Sequence, residues 1–236
     1  MGITERQTEI LNRLIQEYID SARPVSSQLL EKKYDFGICP AMIRIEMQKL
    51  TDQGFICQPY TSAGRVPTDK GYRFFVNRLL EKGISEFEDI FEVEEILRGE
   101  REDILKWVSR LTKFLAEQSS NFAILHLLKK DFIFKEGWEE ILEEPEFEEK
   151  DFLSDFVEFL ENFEKNIKNF KINSKIKIYI GKESPFPKAK DFSIISSKCY
   201  LPDDEEAILS LMGPKRMAYE KNIGLINSLM KILEKN

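Results

Sequence analysis

The chain is poor in the residues that build metal sites, disulfides and hydrolytic centres. Its 236 residues include one histidine, His126, and three cysteines, Cys39, Cys57 and Cys199, with no C-x-x-C spacing. Zinc sites need clusters of Cys and His, and catalytic centres need a nucleophile beside a base. From the sequence we therefore expect no metal site, no cofactor and no enzymatic activity. We expect the cysteines to be small buried hydrophobic residues and His126 to lie in a core.

Long hydrophobic runs are also missing. No stretch approaches the roughly 18 consecutive apolar residues of a membrane-spanning helix, and the first ten residues lack the apolar segment of a secretory signal. The hydrophobic fraction of 42% and the 18 Phe nevertheless supply enough apolar side chain for real cores. These features predict a folded cytoplasmic protein of two modest domains with no membrane association.

Positive charge does not dominate the chain, whose net charge is -7. The acidic excess is local: residues 1–80 carry 11 Lys and Arg against 9 Asp and Glu, residues 81–170 carry 12 against 25, and residues 171–236 carry 12 against 8. An acidic surface is repelled by phosphates. Contact with nucleic acid is therefore expected only from a patch near the N-terminus.

The first eighty residues carry the signals of four helices and one hairpin. Apolar periodicity, caps and breakers predict helices over 4–19, 25–34 and 40–53, with Thr4 as the first N-cap and Pro40 in a first turn. A short strand over 55–60, a small polar loop over 61–65 and a return over 66–67 follow. Thr68 then caps a fourth helix that ends at Gly83. Three helices followed by such a hairpin are typical of a winged helix-turn-helix.

The third helix has one apolar face and one face suited to reading DNA. Ile43, Met47 and Leu50 are predicted to point inward, which leaves four residues facing out: Ala41, Arg44, Ile45 and Gln48. In the major groove Arg pairs with guanine and Gln with adenine, so Arg44 and Gln48 are the expected base readers. The methyl groups of Ile45 suit contact with a thymine methyl group.

The hairpin loop and two further cations complete the predicted interface. The loop residues expected at DNA are Thr61, Ser62, Gly64 and Arg65, small enough to approach a sugar-phosphate backbone, with one Arg suited to a narrow minor groove. An ordinary turn with a solvated Arg is the alternative. Lys49 and Arg73 are expected to contact phosphates, which position a protein on DNA without specifying sequence.

The remainder of the chain predicts a mixed α+β architecture. Residues 84–120 have a charged helical pattern typical of a linker helix or a dimer seam, residues 122–134 contain a strand, and residues 138–170 form acidic amphipathic helix interrupted at Pro145. Strands over 175–180, 192–199 and 207–212 precede a closing helix over 218–233. We interpret the acidic stretch 136–149 as a solvated helix face, residues 203–206 as a polar turn, and Gly213-Pro214 as a packing turn.

Several segments resemble the HrcA family of bacterial heat-inducible transcription repressors. The match rests on the third helix, residues 40–47, and on the long string Thr61-Ser-Ala-Gly-Arg-Val-Pro-Thr-Asp-Lys-Gly-Tyr-Arg73. Further similarities lie at 145–147, 180–183, 193–195 and 213–219. The resemblance therefore extends over most of the chain.

The resemblance implies a repressor of chaperone genes that binds an inverted-repeat operator, called CIRCE, as a homodimer. It also implies support from a GroEL-type chaperonin. The implied organisation is a winged helix-turn-helix domain over 1–82, a linker or dimerisation helix over 83–118, and a reduced GAF-like α+β regulatory domain over 119–236.

The sequence departs from the family pattern at a few positions. Met42 and Ile45 stand where the family usually has Thr and Asn, Cys39 where Ser commonly caps, and Tyr60 where His is usual. The chain is also shorter than its relatives, with the difference falling between Leu128 and Trp138. These departures leave open a second hypothesis, a protein-interaction or ligand-sensing module whose winged helix has lost sequence-specific DNA binding.

Overall fold

A computed structural model describes residues 2–83, 104–169, 172, 175–201 and 205–234. By its internal contacts the chain divides into two compact units, residues 1–83 and 84–236. Residues 84–103, which make up most of the predicted linker pattern, lie outside the described residues. Of the predicted polar turn at 203–206, the structure describes Glu205 and Glu206. Among the described residues, the structure contains no helix with the length and hydrophobicity of a membrane span.

The first unit consists of four helices and a two-stranded antiparallel sheet. In chain order these are α1 (Glu5–Ser21), α2 (Ser27–Lys33), α3 (Pro40–Asp52), β1 (Ile56–Cys57), β2 (Val66–Pro67) and α4 (Asp69–Lys82). All four predicted helices are confirmed to within two residues at each end. The predicted strand over 55–60 is shorter, because only Ile56 and Cys57 pair, with Pro67 and Val66.

Local chemistry explains the helix starts. The Thr4 side chain accepts from the Gln7 backbone N–H at 3.2 Å, and the Gln7 side chain accepts from the Thr4 N–H at 3.0 Å, forming a capping box. The side chains of Ser26 and Thr68 cap α2 and α4 by accepting from backbone N–H groups three residues later, and Pro40 occupies the first turn of α3. These caps satisfy N–H groups that a helix leaves without partners.

A buried polar contact joins α1 to α3 beside the apolar core of this unit. Glu46 is 8% exposed, and its carboxylate accepts from the side chains of Gln7 and Lys49, each at 2.8 Å. The Lys49 hydrogen bond, followed by that of Gln7, holds the pKa of Glu46 below its ordinary value of 4.5 although burial opposes the shift. The charged form of Glu46 thus stabilises the folded state.

We expect the first unit to lose stability in acid because of Glu46. A carboxyl whose pKa is lower in the folded state stabilises fully above its ordinary value of 4.5, and this contribution is lost as the pH falls through the lowered value. Urea titrations at pH 7 and pH 3, followed through the methyl NMR signal of Ile43, should show a smaller free energy of unfolding in acid. Glu46→Gln should weaken this dependence, whereas Glu9→Gln, which changes an exposed side chain of α1, should not. Equal pH dependence in the wild type and Glu46→Gln would contradict the assignment.

The second unit contains a five-stranded antiparallel sheet. Its strands are β3 (Phe122–Leu127), β4 (Phe132–Glu136), β5 (Lys177–Ile180), β6 (Phe192–Leu201) and β7 (Glu205–Pro214), in the order β4-β3-β7-β6-β5. Where one strand was predicted over 122–134, the structure has the antiparallel pair β3 and β4, with Leu125 opposite Phe134. The α+β class is confirmed.

Helices cover both faces of this sheet. They are α5 (Ile104–Ser119), α6 (Trp138–Leu142), α7 (Lys150–Asn166) and α8 (Tyr219–Leu233). One face packs against a phenylalanine cluster that includes Phe156, Phe159 and Phe192. On the other face the neighbouring residue Ser193 hydrogen-bonds Tyr219 of α8 at 2.7 Å, and α5 contacts α8. The helix over the second half of the predicted linker, α5, therefore packs within this unit.

Two of the three cysteines are not buried as the sequence predicted. Cys39 and Cys57 are exposed, and only Cys199 is buried, so the prediction of three buried cysteines is wrong for two of them. Cys39 precedes α3 as its N-cap, and Cys57 points outward from the two-residue strand β1. His126 is fully buried, as predicted.

Candidate nucleic-acid interface

Helix α3 has an exposed face that contains the residues predicted from the sequence to contact DNA. Ile43, Met47 and Leu50 are buried in the unit's core. Their burial turns the opposite side of the helix outward, and five predicted site residues are exposed there: Ala41, Arg44, Ile45, Gln48 and Lys49. The prediction of which residues of this helix are buried and which are exposed is confirmed. The contact of the exposed residues with DNA stays a prediction.

The hairpin between β1 and β2 is held against the turn between α1 and α2. The backbone N–H of Arg65 donates to the Val25 carbonyl at 2.8 Å, and the Val25 N–H donates to the Arg65 carbonyl at 2.9 Å. A Cβ atom added at Gly64 would lie 2.5 Å from the Val25 carbonyl carbon and oxygen. Glycine is therefore required at this position for the close approach of two backbones, a packing role in addition to any contact with DNA.

The tip of the hairpin is exposed and ordered by its own hydrogen bonds. Thr61 and Ser62 are exposed, and Ser62 adopts the left-handed backbone conformation with φ of 72°. The Gln58 side chain donates to the Ala63 carbonyl at 3.0 Å, and the Ala63 N–H donates to the Tyr60 carbonyl at 3.0 Å. The loop is thus a compact turn with two hydroxyl groups at its end.

A hydrogen-bond network connects the hairpin to the exposed face of α3. Arg65 donates through Nε to Thr51 Oγ1 and through Nη2 to Gln48 Oε1, both at 3.2 Å. Gln48 in turn donates from Nε2 to Asp52 Oδ1 at 2.8 Å. Two predicted site residues from different elements, Arg65 and Gln48, are therefore in direct contact.

The other predicted cations have different surroundings. Arg44 has an exposed side chain for which the described part of the chain provides no ion pair or hydrogen bond. Lys49 is exposed, with its ammonium group 2.8 Å from Glu46. Arg73 lies half-buried on α4. Arg44 is accordingly the cation with most freedom to contact a ligand.

Two apolar side chains stand among these polar residues. Met42 is 40% exposed and Ile45 is 48% exposed, and the two lie on the outward side of the helix. Hydrocarbon at this point suits contact with thymine methyl groups in the major groove. It equally suits the surface of a partner protein.

Sequence reasoning missed three residues of this interface. Thr51 and Asp52 near the end of α3 anchor the side chains of Arg65 and Gln48, and Val25 holds the hairpin in place. Asp52 stands four residues after Gln48, one helical turn, and that spacing was the available signal for one of these contacts. The contacts of Arg65 with Thr51 and Val25 connect separate elements and have no such local signal. Across the described residues no cluster of three or more metal-ligating side chains occurs.

Comparison with known proteins gives consistent relatives. The family described as HrcA protein C terminal domain matches residues 69–223. A heat-inducible transcription repressor HrcA from Alkaliphilus metalliredigens is 44% identical over 123 residues, which cover 51% of this chain and 36% of that protein. The protein of the same name from Natranaerobius thermophilus is 25% identical over an alignment of 337 positions that covers 100% of this chain and 98% of the relative. Because this chain has 236 residues, the second relative contains sequence that is missing here.

A solved structure shares the fold. A crystal structure of a hypothetical protein superposes with a TM-score of 0.85 at 19% identity and covers 99% of this chain and 98% of its own. At that identity the similarity concerns the fold alone. The family match, however, spans well over half of the chain and is supported by relatives aligned along its full length. The chain belongs to the HrcA family and is a shortened member of it.

Proposed function

We propose that this protein is a heat-inducible transcription repressor that binds an inverted-repeat operator of the CIRCE type upstream of chaperone genes. The observation that carries the proposal is the exposed face of α3, joined to the hairpin through the contact between Gln48 and Arg65. The names of its relatives support the same activity. Residues 1–82 then act as a winged helix-turn-helix domain, with α3 as the recognition helix and the hairpin as the wing.

Within this proposal each part of the interface has its own task. Arg44 and Gln48 read base edges in the major groove, and Ala41 and Ile45 lie against neighbouring bases. Lys49 and Arg73 contact phosphates, and the wing residues Thr61, Ser62 and Gly64 lie along the flanking backbone. Arg65, the fourth wing residue, connects the wing to α3. Phosphate contacts fix the register of the helix, and the base contacts specify the sequence.

The proposed assembly is a homodimer in the cytoplasm, where bacterial DNA is located. A two-fold symmetric dimer binds two half-sites separated by whole turns of the DNA helix, which matches an inverted repeat. Residues 83–118 provide a linker or dimerisation segment, of which α5 packs within the second unit. Residues 119–236 form a reduced GAF-like regulatory domain. A GroEL-type chaperonin is the proposed partner that supports repression.

Arg44→Ala is expected to weaken operator binding by about 1 to 3 kcal/mol and to relax the preference for one base pair, because the variant loses a base-reading guanidinium group. Gel-shift titrations of the full chain on a CIRCE-type duplex and on a scrambled duplex of equal length measure both effects. Arg78→Ala, an exposed change on α4 outside the proposed interface, serves as the matched control and should bind as the wild type does. Equal affinity of the wild type for the two duplexes would refute the proposal.

A second candidate function follows from the exposed apolar side chains of Met42 and Ile45. In this alternative the chain is a protein-interaction or ligand-sensing module, and its winged helix has lost sequence-specific DNA binding. This alternative predicts that Arg44→Ala leaves affinity for DNA unchanged. The titrations on the two duplexes therefore decide between the two functions.

A further inference from the structure

We infer that Arg65 is a positioning residue that, together with Asp52, locks the side-chain amide of Gln48 in the orientation that reads adenine. The inference rests on the proposed function, since it concerns how the same interface selects its operator. It assigns Arg65 a task on the protein side of the interface, in place of a direct contact with DNA.

The network permits only one orientation of the Gln48 amide. The guanidinium group of Arg65 has five N–H donors and no acceptor, and the carboxylate of Asp52 has acceptors only. Gln48 Oε1 lies 3.2 Å from Arg65 Nη2, and Gln48 Nε2 lies 2.8 Å from Asp52 Oδ1. A rotated amide would place its NH₂ group against the guanidinium and its oxygen against the carboxylate, which replaces two hydrogen bonds by two repulsive contacts.

A locked amide has a defined preference among bases. Each of its two atoms keeps one further hydrogen-bonding position, an N–H on Nε2 and a lone pair on Oε1. Adenine offers the complementary pair in the major groove, the N7 acceptor beside the N6 donor. An amide free to rotate has to be ordered when it binds, and that entropic cost lowers discrimination.

Both the side chain and the backbone of Arg65 are held in place by hydrogen bonds. Its Nε donates to Thr51 Oγ1, so the guanidinium group bridges two residues of the helix, and the Arg65 backbone is paired with Val25 on both sides. A lysine in the same place keeps the positive charge but has a single ammonium group in place of this planar fork. Arg65→Lys therefore separates the two roles: it preserves a phosphate contact and disrupts the positioning of Gln48.

The experiment measures discrimination at single base pairs with the full chain. Each base pair of a CIRCE-type half-site is changed in turn, and the pair at which Gln48→Ala reduces discrimination, by about 5- to 150-fold, identifies the base that Gln48 reads. Arg65→Lys should reduce discrimination at that pair, by a smaller factor than Gln48→Ala, while the slope of log affinity against log salt stays unchanged. In the Gln48→Ala background Arg65→Lys should have no additional effect on discrimination.

Asp52→Asn provides a second, opposite readout. Removing a negative charge should strengthen binding to a scrambled duplex, yet discrimination at the Gln48 base pair should fall because asparagine accepts either orientation of the amide. Arg78→Lys, outside the network, should change neither quantity. The side-chain NH₂ resonances of Gln48 should shift in both network variants without DNA, which reports on the positioning alone.

Unchanged discrimination in Arg65→Lys and Asp52→Asn, with wild-type protein that still prefers the operator, would overturn the positioning role and leave the repressor function standing. A salt slope that falls by about one in Arg65→Met would also overturn it, because that result identifies Arg65 as a phosphate contact. If the wild type shows no operator preference, the proposed function fails, and this inference fails with it.

Discussion

Phe156→Ala is expected to lower the free energy of unfolding of the second unit by about 3 to 5 kcal/mol, the usual cost of removing a large buried aromatic ring. Phe156 is fully buried, and its ring centroid lies between 5.1 and 6.2 Å from those of five aromatic neighbours: Phe122, Trp138, Phe147, Phe159 and Phe192. Truncation removes apolar burial and several edge-to-face contacts together. Urea unfolding followed by tryptophan fluorescence measures the loss.

The chain is well suited to this measurement because both of its tryptophans, Trp107 and Trp138, belong to the second unit. Val157→Ala is the matched control, since Val157 is the next residue of the same helix and is 40% exposed. Its effect should stay within about 0.5 kcal/mol. A loss below 1 kcal/mol for Phe156→Ala would show that the cluster repacks and that this ring is not central to the core.

Helix boundaries were the most predictable part of the fold because they depend on neighbours in sequence. The caps at Thr4 and Thr68 bond to backbone N–H groups three residues away, and Pro40 suits a first helical turn. The faces of α3 also followed from spacing alone, since the buried positions recur with helical period. The exposed reading face was therefore available from the sequence.

Contacts between distant residues were not predictable in the same way. The pairing of Leu125 with Phe134 makes two strands where a single apolar run indicated one. The contact of Arg65 with Gln48 depends on how the hairpin packs against α3, 17 residues away in sequence. The exposure of Cys39 and Cys57 depends on their positions in the packed unit, which residue type alone does not specify.

In the acidic stretch 136–149, two glutamates form contacts with a residue distant in sequence that spacing could not predict. The side chain of Arg216 is 9% exposed and donates to Glu146 at 2.6 and 2.7 Å and also to Glu144. These partners are some 70 residues apart in sequence. The interpretation of the whole stretch as a solvated face is therefore wrong for Glu144 and Glu146, which fasten the segment before α7 to the turn that follows β7.

Arg216→Leu is expected to lower the free energy of unfolding of the second unit by about 3 kcal/mol, because it leaves Glu144 and Glu146 facing each other without a cation. This value lies at the lower end of the range for buried pairs, since each carboxylate is 25% exposed. Tryptophan fluorescence in urea again reports on the correct unit. Lys135→Met, which breaks the more exposed pair with Glu164, should cost less than about 1 kcal/mol.

A triple variant separates the loss of charge compensation from the loss of packing at this site. If the cost of Arg216→Leu arises from two uncompensated carboxylates, then adding Glu144→Gln and Glu146→Gln should recover most of it, because the neutral amides no longer repel each other. If the cost arises from lost packing of the arginine side chain, the added changes should recover nothing. Recovery would establish that the acidic segment is held by charge, and that its glutamates need Arg216 in order to fold against the sheet.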